Sequence, residues 1–400
     1  MKLYLPALGV LCSLGNSKHE VLSNALRGSQ DGLQPIAGLV QDQLPYFGRV
    51  DAHLAPLEAP FERYDCRNNR LLLAAYKQIE REVQELIEEF GADRVAVVAG
   101  SSTSGIREVE LAFETQRKTG EYPPEYYDYK QEIGTVAEFL AGYLELKNVA
   151  MTISTACSSS AKVFYSARNL IESGVCDAAL VGGADSLCQL TGNGFHALGA
   201  MSLTRSNPFS ANRDGINIGE GAALFILSKK RSPIALKGVG ESSDAYHISA
   251  PHPEGRGAEM SMRQALLDAG LEPGDISYLN LHGTGTSHND LTEGEAVYRI
   301  FGSELPCSST KALTGHTLGA AGAIEIGLCW LTLSELNSTR GLPPHIWDGA
   351  RDEEIKPINL VSSATIPAGR RSLNFMSNSF AFGGSNVSVI IGTESEAPPL

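Results

Sequence analysis

Two stretches of this chain are built almost wholly from small and apolar residues at helical spacing. One is CSSSAKVFYSARNL (157–170), the other TLGAAGAIEIGLCWL (317–331). Helices that are neither polar nor strongly striped are usually buried. Serine, glycine and alanine keep such helices thin, so the two can lie close together, sandwiched between sheets. One stands in each half of the chain, so the halves echo each other although no literal repeat is visible.

The rest of the pattern supplies those sheets. RVAVVAG (94–100) has the unbroken apolar, β-branched character of a strand buried on both faces. Further strands are expected at 149–154, 178–183 (AALVGG), GAALFILS and IALKGVGE within 221–241, 276–281 (ISYLNL), 372–378 (SLNFMSN) and 386–392 (NVSVIIG). Helices are expected at 69–91, ending in Gly91, and from Thr135 to about 146. Others are expected at 157–173, stopped by Gly174, at 258–269, stopped by Gly270, and at 290–301 and 317–334. Ser17 with Glu20, and Thr135 with Glu138, have capping-box spacing, and Gly28 can close the first short helix. Strand–helix alternation on this scale predicts an α/β layered fold.

Composition removes some functions. With 46 acids against 32 bases the formal charge is −14, so the bulk field recruits neither nucleic acid nor an anionic membrane, and no apolar run has spanning length. Seven cysteines, an odd number without a CxxC pair, read as reduced thiols of a cytoplasmic protein. MKLYLPALGVLCSLG superficially resembles an export signal. It carries one basic residue, a proline inside the apolar run and no small-x-small cleavage site, and is expected to be a buried first strand. Only the tail ESEAPPL is of low complexity.

Cys157 follows an apolar strand and opens a helix. A helix N-terminus stabilises a thiolate and presents main-chain N–H groups to an oxyanion. The local sequence leaves open whether Cys157 is a nucleophile or a core residue, whereas Cys176, Cys188 and Cys329 lie within apolar runs and read as structural. His282, in NLHGTGTSHND, stands just beyond a strand, and His316, in STKALTGHTLGAAGA, stands at the mouth of the second small-residue helix. Flanking glycines allow a ligand or backbone to approach both. His247, His252 and His288 sit in polar loops and receive no role. No HxxxH or HExxH spacing suggests a metal, and none is expected.

TACSSSAKV, HGTGTSHND, KALTGHTLGAAGA and SNSFAFGGSN, in that order, resemble the β-ketoacyl-[acyl carrier protein] synthases, the elongating condensing enzymes of the thiolase fold. The likeness covers nearly the whole chain and is strongest from 150 to 392. It implies a five-layered α-β-α-β-α fold of two similar halves, 1–230 carrying the cysteine and 231–400 the two histidines. It implies that Cys157 takes an acyl chain from a carrier-protein thioester. His282 and His316 would then promote decarboxylation of malonyl-carrier protein, whose carbanion attacks the acyl-enzyme and yields a 3-oxoacyl chain two carbons longer. By the same resemblance Lys311 and Glu325 support the histidines, and Thr284 and Thr286 bind the phosphopantetheine arm. Phe382 gates the site and shares the oxyanion hole with Cys157, and Asp244 matches a loop position. No resident cofactor is implied, because the arm arrives on the carrier protein.

Three departures stand out: Ala381 where the family has glycine between two phenylalanines, Gly285 where serine or alanine is common, and PALGVL where a TG turn is expected after the first strand. An acidic carrier protein needs a basic landing, for which Arg63, Arg67 and Arg70 are candidates; the alternative is a solvated helix start. ESSDAYHISAPHPEG, PCSSTKALTGHTLGAAG and SNSFAFGG look most like the synthases of aryl polyene clusters, which pair with a silent chain-length-factor partner. Fatty acid synthesis, and a homodimer, is the broader default. A degradative thiolase would carry a second cysteine near its C-terminus, and none follows Cys329. A Cys-His hydrolase leaves the second histidine unexplained. A non-catalytic chain-length-factor-like subunit would usually lack the nucleophile.

Overall fold

The computed structural model describes residues 1–366 and 372–394. Residues 395–400 of the low-complexity tail lie outside the described residues. The first half contributes β1 (Leu8–Cys12), β2 (Val95–Gly100), β3 (Ala150–Ile153), β4 (Ala178–Asp185) and β5 (Gly221–Ser228). The second contributes β6 (Ile234–Ser243), β7 (Ile276–Asn280), β8 (Pro306–Ser308), β9 (Asn374–Phe380) and β10 (Ser385–Thr393). The strand orders, β3-β2-β4-β5-β1 and β8-β7-β9-β10-β6, are the same. So are the directions. The first three strands of each order are parallel, and the last two pair antiparallel. The chain folds twice into one topology, a duplication that the sequence carries only in pattern. A two-residue strand, Leu3–Tyr4, pairs with both β5 and β6 and joins the halves into one twelve-stranded ladder.

Side-chain alternation turns this ladder into layers. Val95, Val97 and Ala99 face an outer core shared with helices Arg67–Lys77 and Thr135–Tyr143, while Ala96 and Val98 face inward. The inward core holds α1 (Ser159–Glu172) and α2 (Ala321–Leu333) between strands of both halves. A third core, with Met262, Leu266 and Val297, lets helices Arg256–Ala269 and Ser287–Phe301 cover the far side of the second sheet. The result is the five-layered α-β-α-β-α thiolase-like fold. Small residues make the middle layer possible. A Cβ on Gly322 of α2 would stand 2.7 Å from the Cβ of Ala161 on α1, and one on Gly100 of β2 would stand 2.5 Å from the Ser160 nitrogen.

Several local expectations change. The 69–91 periodicity breaks into Arg67–Lys77 and Glu80–Phe90. At the break, the Gln78 amide accepts from the Val10 N–H and donates to the Val10 carbonyl, pinning the chain to β1. Thr135 caps nothing: it is inside its helix, bonded to the Glu132 carbonyl, and Glu138 is engaged by the Tyr129 hydroxyl. Ser17 does cap its helix, but the Glu20 carboxylate accepts from Asn16 rather than Ser17, so the box is half made. The 290–301 helix starts at Ser287, and the 317–334 helix is preceded by a short helical turn at Lys311–Thr314 and a 3₁₀ turn at Leu318–Ala320. The apolar start of the chain is buried strand, as expected. Among the described residues no helix is long and apolar enough to cross a membrane.

Candidate active site

Cys157 is held at the tip of β3 by its serines. The Ser159 hydroxyl donates to the Ala156 carbonyl at 2.6 Å and accepts the Thr155 N–H at 2.9 Å, while the Ser158 hydroxyl donates to the Thr155 carbonyl. Ala156 sits at φ +50°, a left-handed conformation unusual for a residue with a Cβ. This sharp turn places Cys157 immediately before α1 and against the cavity floor. The run TACSSS is thus a turn whose hydroxyls replace missing backbone partners.

His316 arrives from the other half. Its main chain is fixed through bonds to Asn217 and Gly219, beside a small three-stranded sheet that includes Ile218–Gly219. Its Nε2 lies 3.0 Å from Cys157 Sγ, and its Nδ1 accepts the Leu318 main-chain N–H at 3.3 Å. An acceptor Nδ1 on a neutral ring leaves the proton on Nε2, which donates toward the sulfur. His282 follows β7; its ring meets that of His316 edge to face at 5.4 Å, and its Nδ1 is buried without a partner. One donor atom each of Cys157, His282 and His316 lies within 4.8 Å of the others.

Behind the rings lies a buried ion pair. Lys311 donates to the His282 carbonyl at 2.5 Å and to Glu325, and both side chains are 2% exposed. Burial lifts the Glu325 carboxyl to about 7, opposed by Lys311. Burial, and then Lys311, push both imidazoles well below the usual histidine range, so they are neutral near pH 7. Burial raises the Cys157 thiol to about 11, with Lys311 and the Phe382 main-chain N–H pulling it back. Its place before the helix therefore does not make the thiolate the resting form: desolvation outweighs the favourable contacts, and they act on sulfur's charge as it develops.

The three side chains line a cavity of about 520 Å³ with Thr284, Thr286, Asp244, Phe380 and Phe382. The threonine hydroxyls bond each other at 2.9 Å. Phe382 is the second residue of a tight turn closed by the Gly384 N–H on the Ala381 carbonyl, and its ring packs on Phe195. Positive φ falls on Gly383 and Gly384 and not on Ala381, so alanine there strains nothing. Gly285 is required: it has φ +79°, and a Cβ would meet Ser206 Oγ at 2.6 Å. His247 and His288 stand at the exposed mouth of the same cavity, while His252 caps a nearby turn.

The arginines divide. Arg67 forks onto both oxygens of the buried Glu220 at 2.8 and 2.5 Å, and Arg70 forks onto Asp65 at 2.6 and 2.5 Å. Both are spent inside the protein. Arg63 is exposed and lies over Tyr64 and Tyr129.

Sequence reasoning missed three buried acids. Glu293 accepts the N–H groups of His282 and Gly283 at 2.7 Å each. Asp290 accepts those of Phe209 and Gly285. Asp185, at the end of β4, is fully buried among main-chain and hydroxyl donors. Asp290 and Glu293 had the spacing of helix-start residues, yet they bind the loop holding His282. The available signal was a pair of acids flanked by small and apolar residues, which must find donors.

Comparison with known proteins agrees with this architecture. The family model "Beta-ketoacyl synthase, N-terminal domain" matches residues 19–232, and "Beta-ketoacyl synthase, C-terminal domain" matches 234–343. A 3-oxoacyl-[acyl-carrier-protein] synthase 2 of Staphylococcus aureus is 30% identical over 98% of each chain. A synthase 1 of Haemophilus influenzae is 31% identical over 96% of this chain and 97% of its own. The ketosynthase ApeO of Xenorhabdus doucetiae, solved in complex with its chain length factor ApeC, is 44% identical, with a TM-score of 0.93 over 98% of each chain. A cysteine and two histidines meeting between duplicated halves, on a chain matched this completely, make it a member of the β-ketoacyl synthase family.

Proposed function

We propose that this chain is the catalytic subunit of a β-ketoacyl-[acyl carrier protein] synthase, with Cys157 as nucleophile and His282 and His316 as the decarboxylation pair. The observation that carries the reading is His316 Nε2 at 3.0 Å from Cys157 Sγ, with the two imidazoles edge to face. Cys157 sulfur attacks the acyl thioester carbon, the S–C bond forms, and the carrier thiol leaves with the proton. The Cys157 and Phe382 N–H groups hold the tetrahedral oxyanion. Malonyl-carrier protein then replaces the product carrier, its thioester oxygen facing the two rings. Its carboxylate leaves as CO2, and the C–C bonding pair becomes the enolate stabilised by the imidazole donors. The enolate carbon attacks the acyl carbon, the C–S bond breaks and Cys157 leaves as a thiolate that takes up one proton from water, leaving a 3-oxoacyl chain on the carrier thiol. Neutral imidazoles suit this role, since each keeps one N–H to donate but carries no second, acidic proton that the enolate would take.

Thr284 and Thr286, which line the same cavity, are taken as partners of the pantetheine amides, and Lys311, bonded to the His282 carbonyl and paired with Glu325, as the support of the His282 loop. The arm is carried by the substrate, and no resident cofactor is part of the reading. The carrier protein is acidic and needs a basic landing. Of the three arginines only Arg63 is free of an acidic partner, so it is the candidate contact. Likeness to a ketosynthase solved with its chain length factor, together with the aryl polyene-like motifs, favours that pathway and a heterodimer over fatty acid synthesis and a homodimer. The non-catalytic reading is disfavoured by the intact triad. Seven unpaired, buried cysteines favour a cytoplasmic location.

Incubation with acyl-carrier protein, followed by intact mass measurement, tests the reading. An acyl adduct is expected on the wild type and not on Cys157→Ala, and malonyl-carrier protein should convert it to a 3-oxoacyl product. A wild type that never acquires the adduct overturns the assignment and favours the scaffold role.

A further inference from the structure

The cysteine turn and the histidine turn belong to different halves of the chain, yet one side chain touches the supports of both. Asp185 is 0% exposed. Its carboxylate accepts the Ser101 hydroxyl at 2.7 Å, the Ser102 N–H at 2.8 Å, the Thr103 N–H at 2.9 Å and the Thr103 hydroxyl at 2.8 Å, all from the turn after β2. From the other half it accepts the Gly319 N–H at 2.5 Å. A buried carboxylate with this many donors is rigid, because moving it leaves a charge or several N–H groups unpaired.

Each contact leads one step to the chemistry. Ser102, held through its N–H, donates its hydroxyl to the Ala156 carbonyl at 3.3 Å. Ala156 is the left-handed residue that aims Cys157. Gly319, held through its own N–H, follows Leu318, which is also left-handed at φ +49° and whose N–H fixes His316 Nδ1. The fit is close: a Cβ on Gly319 would lie 2.6 Å from the Ser102 nitrogen and 2.8 Å from Asp185 Oδ2. Among the described residues no such side chain links His282 to the cysteine turn; that loop is held by Glu293.

We propose that Asp185 is a positioning residue that sets the Cys157 turn and the His316 tautomer together, so that acyl transfer and decarboxylation share one adjustment. The proposal rests on the condensing function above. It goes further in naming a group that touches no substrate yet governs both half-reactions. Nothing is transferred to or from Asp185; it acts as a fixed acceptor.

Four proteins decide it: wild type, Asp185→Asn, Ser102→Ala and Glu293→Gln. Each is labelled with ¹⁵N-histidine and assayed for acyl adduct formation and for CO2 release from malonyl-carrier protein, per folded molecule. Wild type should show His316 with Nδ1 unprotonated and Nε2 protonated. In Asp185→Asn the amide turns an N–H donor toward groups that are donors themselves. That tautomer preference should be lost, with both half-reactions slower by on the order of 100-fold and KM for the carrier proteins within about threefold. Ser102→Ala should slow acylation by about tenfold and leave the His316 signal unchanged. Glu293→Gln should slow CO2 release without altering the His316 tautomer.

A purely structural Asp185 would lower the melting temperature and leave the rates per folded molecule and the His316 signal as in wild type, which overturns the proposal. If Asp185→Asn does not fold, Ser102→Ala decides alone, and wild-type acylation in it overturns the link to Cys157. A wild type with no acyl adduct contradicts the function instead, so the two failures are distinguishable.

Discussion

Cys157 sits where burial opposes its own ionisation. With the thiol raised to about 11, the thiolate fraction at pH 7 is on the order of 10⁻⁴. The sign follows: a raised acid stays protonated below its pKa, so reactivity grows with pH. Alkylation of Cys157 by iodoacetamide should rise about tenfold per pH unit from 7 to 10. His316 should add no limb to that profile, because its lowered pKa keeps it neutral throughout. A plateau near pH 7 to 8 would show a preformed thiolate instead. The Lys311–Glu325 pair gives a second outcome at this scale. Lys311→Met leaves Glu325 alone in a site 2% exposed, and urea unfolding should record a loss of about 3–5 kcal/mol. Adding Glu325→Leu should restore much of the stability and none of the condensation. Cys157, His282 and His316 stood out because each ends a core element beside small residues, but that pattern left the role of Cys157 open, and the family resemblance assigned all three. Asp185 did not, because its donors come from segments more than eighty residues away and only the fold brings them together, and Glu293 reads as a helix-start residue although its donors lie ten and eleven residues upstream.

At the scale of elements, the glycine-rich face of α2 sets how close the two catalytic turns can come. Gly322→Val would push into Ala161 on α1 and should cost about 1–3 kcal/mol in a thermal melt, with both half-reactions slowed. An unchanged melting temperature would mean the helices part freely. The Phe382 turn makes the opposite case. Ala381 lies outside the left-handed region, so Ala381→Gly should change stability by less than about 1 kcal/mol and leave kcat nearly unaltered. Sequence periodicity located most strands and helices, because buried strands read as unbroken apolar runs. It failed at ends. Gln78 breaks a helix through contacts with β1, and Thr135 is recruited by a neighbouring carbonyl, neither of which any local pattern encodes.

For the whole molecule, duplication explains the site. Each half delivers a small-residue helix to the middle layer, one preceded by Cys157 and the other by His316, and the chemistry lies at the seam. The two halves were legible as two rounds of one pattern, but their identical strand order was not, since pairing between strands dozens of residues apart leaves no local mark. β3 ends the ladder, with Met151 37% exposed. Co-expression with a chain-length-factor-like partner should yield a stable one-to-one complex by native mass; a chain that stays homodimeric beside that partner would contradict the heterodimer. The most direct test isolates acyl-Cys157 enzyme, adds malonyl-carrier protein and follows CO2 and product in a single turnover. The account predicts that His316→Ala still carries the acyl group but releases CO2 at least about 100-fold more slowly than wild type. Release at the wild-type rate in that variant would contradict it.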